Sequence, residues 1–208
     1  RLAHSVKKIL SAKYKVGLSQ FEPINTHDLV ADLNRQKDDV LYQNLMENAI
    51  TLVENKNDLL PLKNLELRKI AYVNMGNADA SKFVKSLNKY TKVDVVSAND
   101  LGQLVSELNQ YNTVVVGLHT SNASPWKPYQ FSEKELVWLY EIARTNTVVL
   151  TVFAKPYALN NFKSFTNFES IVMAYQNSPI AQRTAAQLIF GGLPAKGKLP
   201  VSIDSIFK

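Results

Sequence analysis

The sequence predicts an α/β protein: a doubly wound, mostly parallel sheet of five to six strands with helices on both faces, preceded by a helical lead-in. Three observations carry this. From residue 69 onward, five short apolar runs alternate with segments of helical periodicity, the pattern of a parallel sheet buried on both faces. Glycine, asparagine, serine and proline punctuate the joints between runs, where strand must turn into helix. The 208 residues, 46% hydrophobic and 20% charged, are enough to fill one such core.

Element by element, Leu2, Val6, Ile9 and Leu10 recur at helical spacing, and Gly17 is placed to stop that helix. An irregular stretch over 19–24 leads to Asn25, a candidate N-cap. Helical pattern follows over 27–33 and 37–51, with Leu41, Leu45, Asn48, Ala49 and Leu52 on one face. Asn57-Asp58-Leu59-Leu60-Pro61-Leu62 reads as a turn. Strands are predicted over 69–76, 92–98, 113–119, 147–153 and 170–175. Helices are predicted over 80–90, 100–109 and 132–144, the last opened by the capping-box spacing of Ser132 and Glu135. Ser178-Pro179 opens a final helix, with proline suited to its first turn. Gly191 and Gly192 can stop it, Pro194 forbids its continuation, and 199–203 resumes as a short extended edge segment. The organisation expected is 1–24, a helix and linker; 25–66, the helical lead-in; and 67–208, the α/β sandwich. The first residues already lie within a helical pattern, as expected of a piece of a longer chain.

Composition removes several functions. The net charge of +6 comes from dispersed residues such as Lys7, Lys8, Lys13, Lys15, Lys82, Lys85, Lys89 and Lys92. No dense basic run is interleaved with aromatics, so no nucleic-acid partner is predicted. Cysteine is absent, which removes disulfides, thiolate metal sites and a cysteine nucleophile. No stretch approaches the ~20 apolar residues of a membrane span. His4, His27 and His119 fall in different segments without metal-ligand spacing, so no metal is predicted. Gly76-Asn77-Ala78 lacks the G-x-G-x-x-G series and no phosphate loop appears, so no cofactor is predicted. A nucleophile elbow of G-x-S-x-G type is also missing.

Ligands of open α/β sheets sit at the carboxyl ends of the strands, here 74–77, 118–131, 154–157 and 176–178. His119 ends the central strand, and a long polar and aromatic loop follows it to Phe131. Ser121 and Asn122 can exchange hydrogen bonds with sugar hydroxyls, and Trp126 or Tyr129 can stack on a pyranose face. His119, Ser121, Asn122, Trp126 and Tyr129 are therefore the candidate substrate-rim residues. The competing reading is a surface lid fixed by Pro125 and Pro128.

The terminal run Leu188-Ile-Phe-Gly-Gly-Leu-Pro-Ala-Lys-Gly-Lys-Leu-Pro-Val-Ser-Ile203 closely resembles the end of the second, α/β sandwich domain of family 3 glycoside hydrolases. Four further segments resemble the same domain: Ala49-Ile-Thr-Leu-Val-Glu-Asn-Lys56 with Leu60-Pro-Leu62, Thr113-Val-Val-Val-Gly117, Val149-Leu-Thr-Val-Phe-Ala-Lys-Pro-Tyr157, and Ile171-Val-Met-Ala-Tyr-Gln176 with the helix behind it. Residues 1–18 resemble the last helix of the family's catalytic (β/α)8 barrel and the start of its linker. The resemblance implies a flavodoxin-like sandwich whose partner is the barrel of the same parent chain.

Family members cleave glycosidic bonds with two carboxylates and retention. Their nucleophile is a barrel aspartate, outside this chain. In the β-glucosidase branch the acid/base is a glutamate in the loop after the central strand of the second domain. Here no Asp or Glu occurs between Gly117 and Glu133, and Glu133 and Glu135 open the next helix, where acids suit the dipole. The β-N-acetylhexosaminidase branch carries its acid/base, a histidine–aspartate pair, on the barrel. The resemblance therefore implies a non-catalytic domain without catalytic residues of its own, from a β-N-acetylhexosaminidase acting on N-acetylglucosamine-containing glycans. It also implies an exported bacterial parent, and similar proteins carry a β-lactamase-like domain. Two alternatives stand: a β-glucosidase-type second domain with an acid/base such as Glu133, and a free-standing flavodoxin-like binding module.

Overall fold

The computed structural model describes residues 1–124, 126 and 129–203; Pro125 and Pro128, read as fixing the loop, lie outside them. The chain forms two compact units, Arg1–Asp39 and a second from Val40 onward. In the first, α1 (Leu2–Lys15) is followed by Gly17 at φ 82, the left-handed residue its sequence predicts. Leu2, Val6, Ile9 and Leu10 are all exposed. Asn25 accepts the His27 N–H at 2.9 Å in a local turn. The N-cap of α2 (Leu29–Leu33) is Asp28 instead, at φ 59 and without a side-chain cap.

The second unit holds one six-stranded sheet. After α3 (Gln36–Ala49) come β1 (Thr51–Asn55), β2 (Ile70–Gly76), α4 (Ser81–Leu87), β3 (Val93–Val95) and α5 (Leu101–Leu108). β4 (Thr113–His119), α6 (Glu133–Thr145), β5 (Val148–Phe153), β6 (Ser170–Met173) and α7 (Pro179–Ile189) complete it. The strand order is β1-β6-β5-β4-β2-β3. Every pair is parallel except β1 with β6.

Alternation divides the core as a two-faced sheet requires. Val73, Val116, Leu118, Leu150, Val152 and Ile171 pack under α5 and α6 with Leu104, Leu139 and Ile142. Tyr72, Val115, Val149, Phe153 and Val172 pack under α4 and α7 with Phe83, Leu87, Ala185 and Ile189. Every residue of β4 and β5 is buried, which is why these strands read as unbroken apolar runs.

Three departures from the sequence reading have physical causes. Residues 50–52 do not continue α3. Ile50 N–H closes its last turn on Met46 O at 3.0 Å, and the segment from Thr51, with β-branched Thr51 and Val53, is captured by the free edge of β6. This sixth, antiparallel strand carries a bulge between Leu52 and Glu54. β3 is only three residues long, because the chain leaves the sheet after Val96 N–H reaches Tyr72 O at 2.9 Å. Beyond α7, Gly191 takes φ 78 as expected, but 199–203 forms no ladder. Ile203 makes an isolated bridge there and is fully buried.

The start of α6 follows its sequence. Ser132 Oγ accepts the Glu135 N–H at 3.3 Å, and Glu135 Oε2 accepts the Ser132 N–H at 2.7 Å. Ser132→Ala removes one arm of this box and should lower the unfolding free energy by about 1 kcal/mol. Urea denaturation followed by circular dichroism reads the change.

Candidate functional site

Setting β1 aside, the parallel strands take the order 6-5-4-2-3, the same winding as the flavodoxin-type order 2-1-3-4-5. From β2 the chain steps outward to β3, then returns to the other side of β2 and steps away through β4, β5 and β6. The winding reverses between β2 and β4, where loops diverge to opposite faces and leave a crevice at the carboxyl ends. The structure has a cleft there of about 440 Å³, lined by Gly76, Asn77, Thr120, Gln130, Phe131, Ser132 and Glu135.

Gly76 brings the two strand ends together. Its φ is 94, and a Cβ on it would lie 2.0 Å from the His119 carbonyl oxygen. The next residue, Asn77, donates its N–H to that oxygen at 2.9 Å. Gly76 N–H is bound by Glu135 Oε1 at 2.9 Å, while Oε2 of the same carboxylate holds Ser132. Glu135 thus clamps the end of β2 to the start of α6, and both of its oxygens are occupied.

His119, expected at the rim, lies beneath it. The ring is fully buried because this face of β4 points under α4 and α7. It stacks on Phe153 at 4.2 Å between ring centroids. A Cβ at Gly117 would stand 2.5 Å from its Nε2, so glycine at 117 makes room for the ring. Nδ1 meets Asn177 Oδ1 at 2.8 Å and Nε2 meets the Tyr72 hydroxyl at 2.9 Å. An amide oxygen only accepts, so Nδ1 carries the proton, and Nε2 shares the single Tyr72 hydroxyl proton with Asn74 Oδ1, which lies 3.2 Å from that hydroxyl. Burial pushes the imidazole pKa down to about 4, against the opposing pull of the Asn177 hydrogen bond and the Asp79 charge. Burial likewise raises the Tyr72 phenol well above its usual range. His119 is a neutral core group at neutral pH and offers no proton to a ligand.

The network around it was not legible in the sequence. Asn177 donates to Asp79 O at 2.9 Å, and Gln182 bridges Asp79 O at 2.8 Å, Asn177 Oδ1 at 2.7 Å and the Phe83 N–H at 2.7 Å. Asn122 joins it from the loop, accepting the Asn177 N–H at 2.9 Å. Ser121 donates its N–H to Asn77 Oδ1 at 3.3 Å and accepts from Ala123 N–H at 3.3 Å. Ser121 and Asn122 therefore pin the first turn of the loop. Trp126 is 91% exposed. Tyr129 packs on the core with the Lys155 ammonium 5.5 Å from its ring centroid. The five candidates thus separate into a buried support, two anchors, one exposed indole and one half-covered ring. Asn77, Gln130 and Glu135 line the cleft instead.

Glu133 is exposed in the first turn of α6. Among the described residues, no group of three or more His, Asp or Glu is placed to hold a metal ion. No helix among them is long and apolar enough to cross a membrane.

No family model matches the sequence, and no curated protein is similar to it. Solved structures share the fold. A structure of the β-glucoside phosphorylase BglX superposes over 97% of this chain and 38% of its own, at 18% identity and a TM-score of 0.75. A glycoside hydrolase family 3 β-N-acetylglucosaminidase from Paenibacillus sp. str. FPU-7 matches over 96% of this chain and 39% of its own, at 15% identity and a TM-score of 0.66. A β-glucosidase from Listeria innocua, in complex with isofagomine, matches over 88% of this chain and 30% of its own, at 19% identity and a TM-score of 0.66. The chain spans well under half the length of each of these proteins, and what it shares with them is a fold: a six-stranded, mostly parallel α/β sandwich.

Proposed function

We propose that this chain is the second, non-catalytic domain of a family 3 glycoside hydrolase of β-N-acetylhexosaminidase type, acting on N-acetylglucosamine-containing glycans. The observation that carries the reading is that nearly the whole chain corresponds in fold to a part of a β-glucoside phosphorylase and of a family 3 β-N-acetylglucosaminidase. The motif resemblance over five segments supports the same family.

The branch rests on the loop after β4, which has no carboxylate between Gly117 and Glu133. Glu135 is committed to its clamp, and without a positioned acid the loop cannot protonate a leaving oxygen. In this reading residues 1–24 are barrel-derived helix and linker, and 25–66 leads into the sandwich and gives its sheet the edge strand β1. The exposed apolar side chains Leu2, Val6, Ile9 and Leu10 support a partner surface on α1, met by the (β/α)8 barrel of the parent chain. The loop of Ser121, Asn122, Trp126 and Tyr129 then borders the barrel's cleft, with His119 holding it from below. A bacterial, exported parent goes with the reading, and cell fractionation tests it.

Turnover of nitrophenyl glycosides tests the function. Chain 1–208 alone should hydrolyse neither the β-glucoside nor the N-acetyl-β-glucosaminide. Joined to the barrel of its parent it should prefer the N-acetylglucosaminide, and Glu133→Gln should leave that rate unchanged. Preference for the glucoside, with a loss of at least ~10²-fold in Glu133→Gln, would instead place the acid/base on this domain.

A further inference from the structure

The switch-point cleft has a lining whose chemistry is selective. Glu135 is the charged side chain among its described lining residues, and both carboxylate oxygens are engaged. Among the described residues no lysine or arginine lines it, so a phosphate or carboxylate ligand would meet the Glu135 carboxylate with no cation from those residues to offset it.

The remaining polar groups are neutral. Asn77 uses its N–H and Oδ1 to hold the strand end and the loop, and this leaves its amide Nδ2 without a partner among the described residues. Gln130 is exposed and its side-chain amide is likewise unengaged. Thr120 Oγ1 donates to Phe153 O at 3.3 Å and keeps lone pairs to accept. Phe131, almost wholly buried, forms an apolar floor. The volume of about 440 Å³ falls within the roughly 300–1,000 Å³ of small-molecule sites.

We propose that this cleft is itself a binding site for a neutral, hydroxyl-rich ligand of the size of a single pyranose. Asn77 Nδ2 and the Gln130 amide would bond its hydroxyls above the buried Phe131. The lining argues for neutrality and hydroxyls by itself; the choice of a pyranose among such ligands rests on the carbohydrate reading above. The site is distinct in its residues from the exposed Trp126.

Amide NMR of ¹⁵N-labelled chain 1–208 tests this, with glucose, N-acetylglucosamine and inorganic phosphate as separate probes. One of the sugars should produce saturable shifts in the side-chain amides of Asn77 and Gln130 and in the backbone of Gly76, and phosphate should produce none. Gln130→Ala breaks no side-chain hydrogen bond among the described residues, and it should weaken that sugar roughly fivefold to tenfold. The proposal fails if neither sugar gives saturable shifts at the cleft up to a concentration on the order of 0.1 M. It also fails if the shifts centre on the Trp126 indole, if phosphate saturates the same amides, or if Gln130→Ala leaves the affinity unchanged. Sugar shifts at the cleft would stand even if the parent proved not to be a glycosidase. Glycosidase activity of the parent without such shifts would overturn this inference alone.

Discussion

Gly76→Ala should destabilise the protein by about 4 kcal/mol, among the larger effects expected of a single substitution. Two costs add. A left-handed φ of 94 strains any residue with a Cβ, by roughly 1–3 kcal/mol. The new methyl would also lie 2.0 Å from the carbonyl oxygen of His119, and that obstacle is backbone in a buried strand. β4 cannot retreat, because every one of its residues is packed between two helical layers. If β2 moves instead, Asn77 N–H leaves His119 O and Gly76 N–H leaves Glu135. Gly102→Ala is the internal contrast. It sits in the first turn of α5, and a Cβ there meets Asp100 Oδ1, the oxygen that caps the Gln103 N–H, at 3.3 Å, so the small shift of that cap and the gain in helix propensity should roughly cancel. Thermal unfolding should place Gly76→Ala roughly 8–16 °C below the parent chain and Gly102→Ala level with it. Equal midpoints for the two variants would refute the close approach of β2 and β4.

Stability should also fall by about 3 kcal/mol as pH drops from 6.5 to 4, through His119 alone. The unfolded chain's imidazole takes its proton near 6.5, and the folded one only near 4, because burial disfavours the charged ring. Between those values the unfolded state binds more protons, so stability rises with pH across the window. The contribution is fully present above 6.5 and fully lost below about 4, where both states are protonated. Carboxylates add their own acid loss at lower pH, so the measurement compares slopes. Urea unfolding of the parent chain and of His119→Gln, at intervals over this window, should show the variant less stable at pH 7 and much flatter below it. An equally steep slope in His119→Gln would mean that the ring is not held neutral by its surroundings.

The sequence carried the alternation of apolar runs with helical segments, and with it the parallel two-faced sheet, because β4 and β5 are buried on both sides and must be apolar throughout. It carried the caps too: Ser132 with Glu135, and Ser178 with Pro179, act within three or four residues of one another. The motif resemblance along the chain pointed to an α/β sandwich, and that is the fold the chain shares with the solved structures. What failed was whatever depended on distant partners. Residues 50–52 fit a helix by spacing, and only the open edge of β6 turned them into a strand. His119 ended a strand like a rim residue, and only Tyr72, Phe153 and Asn177, far from it in sequence, decided that its ring lies inside and neutral. The cleft itself is a product of winding. Local periodicity and capping are written in neighbouring residues; strand order, burial and the meeting of Gly76 with His119 arise from contacts across the sheet, which no local pattern encodes.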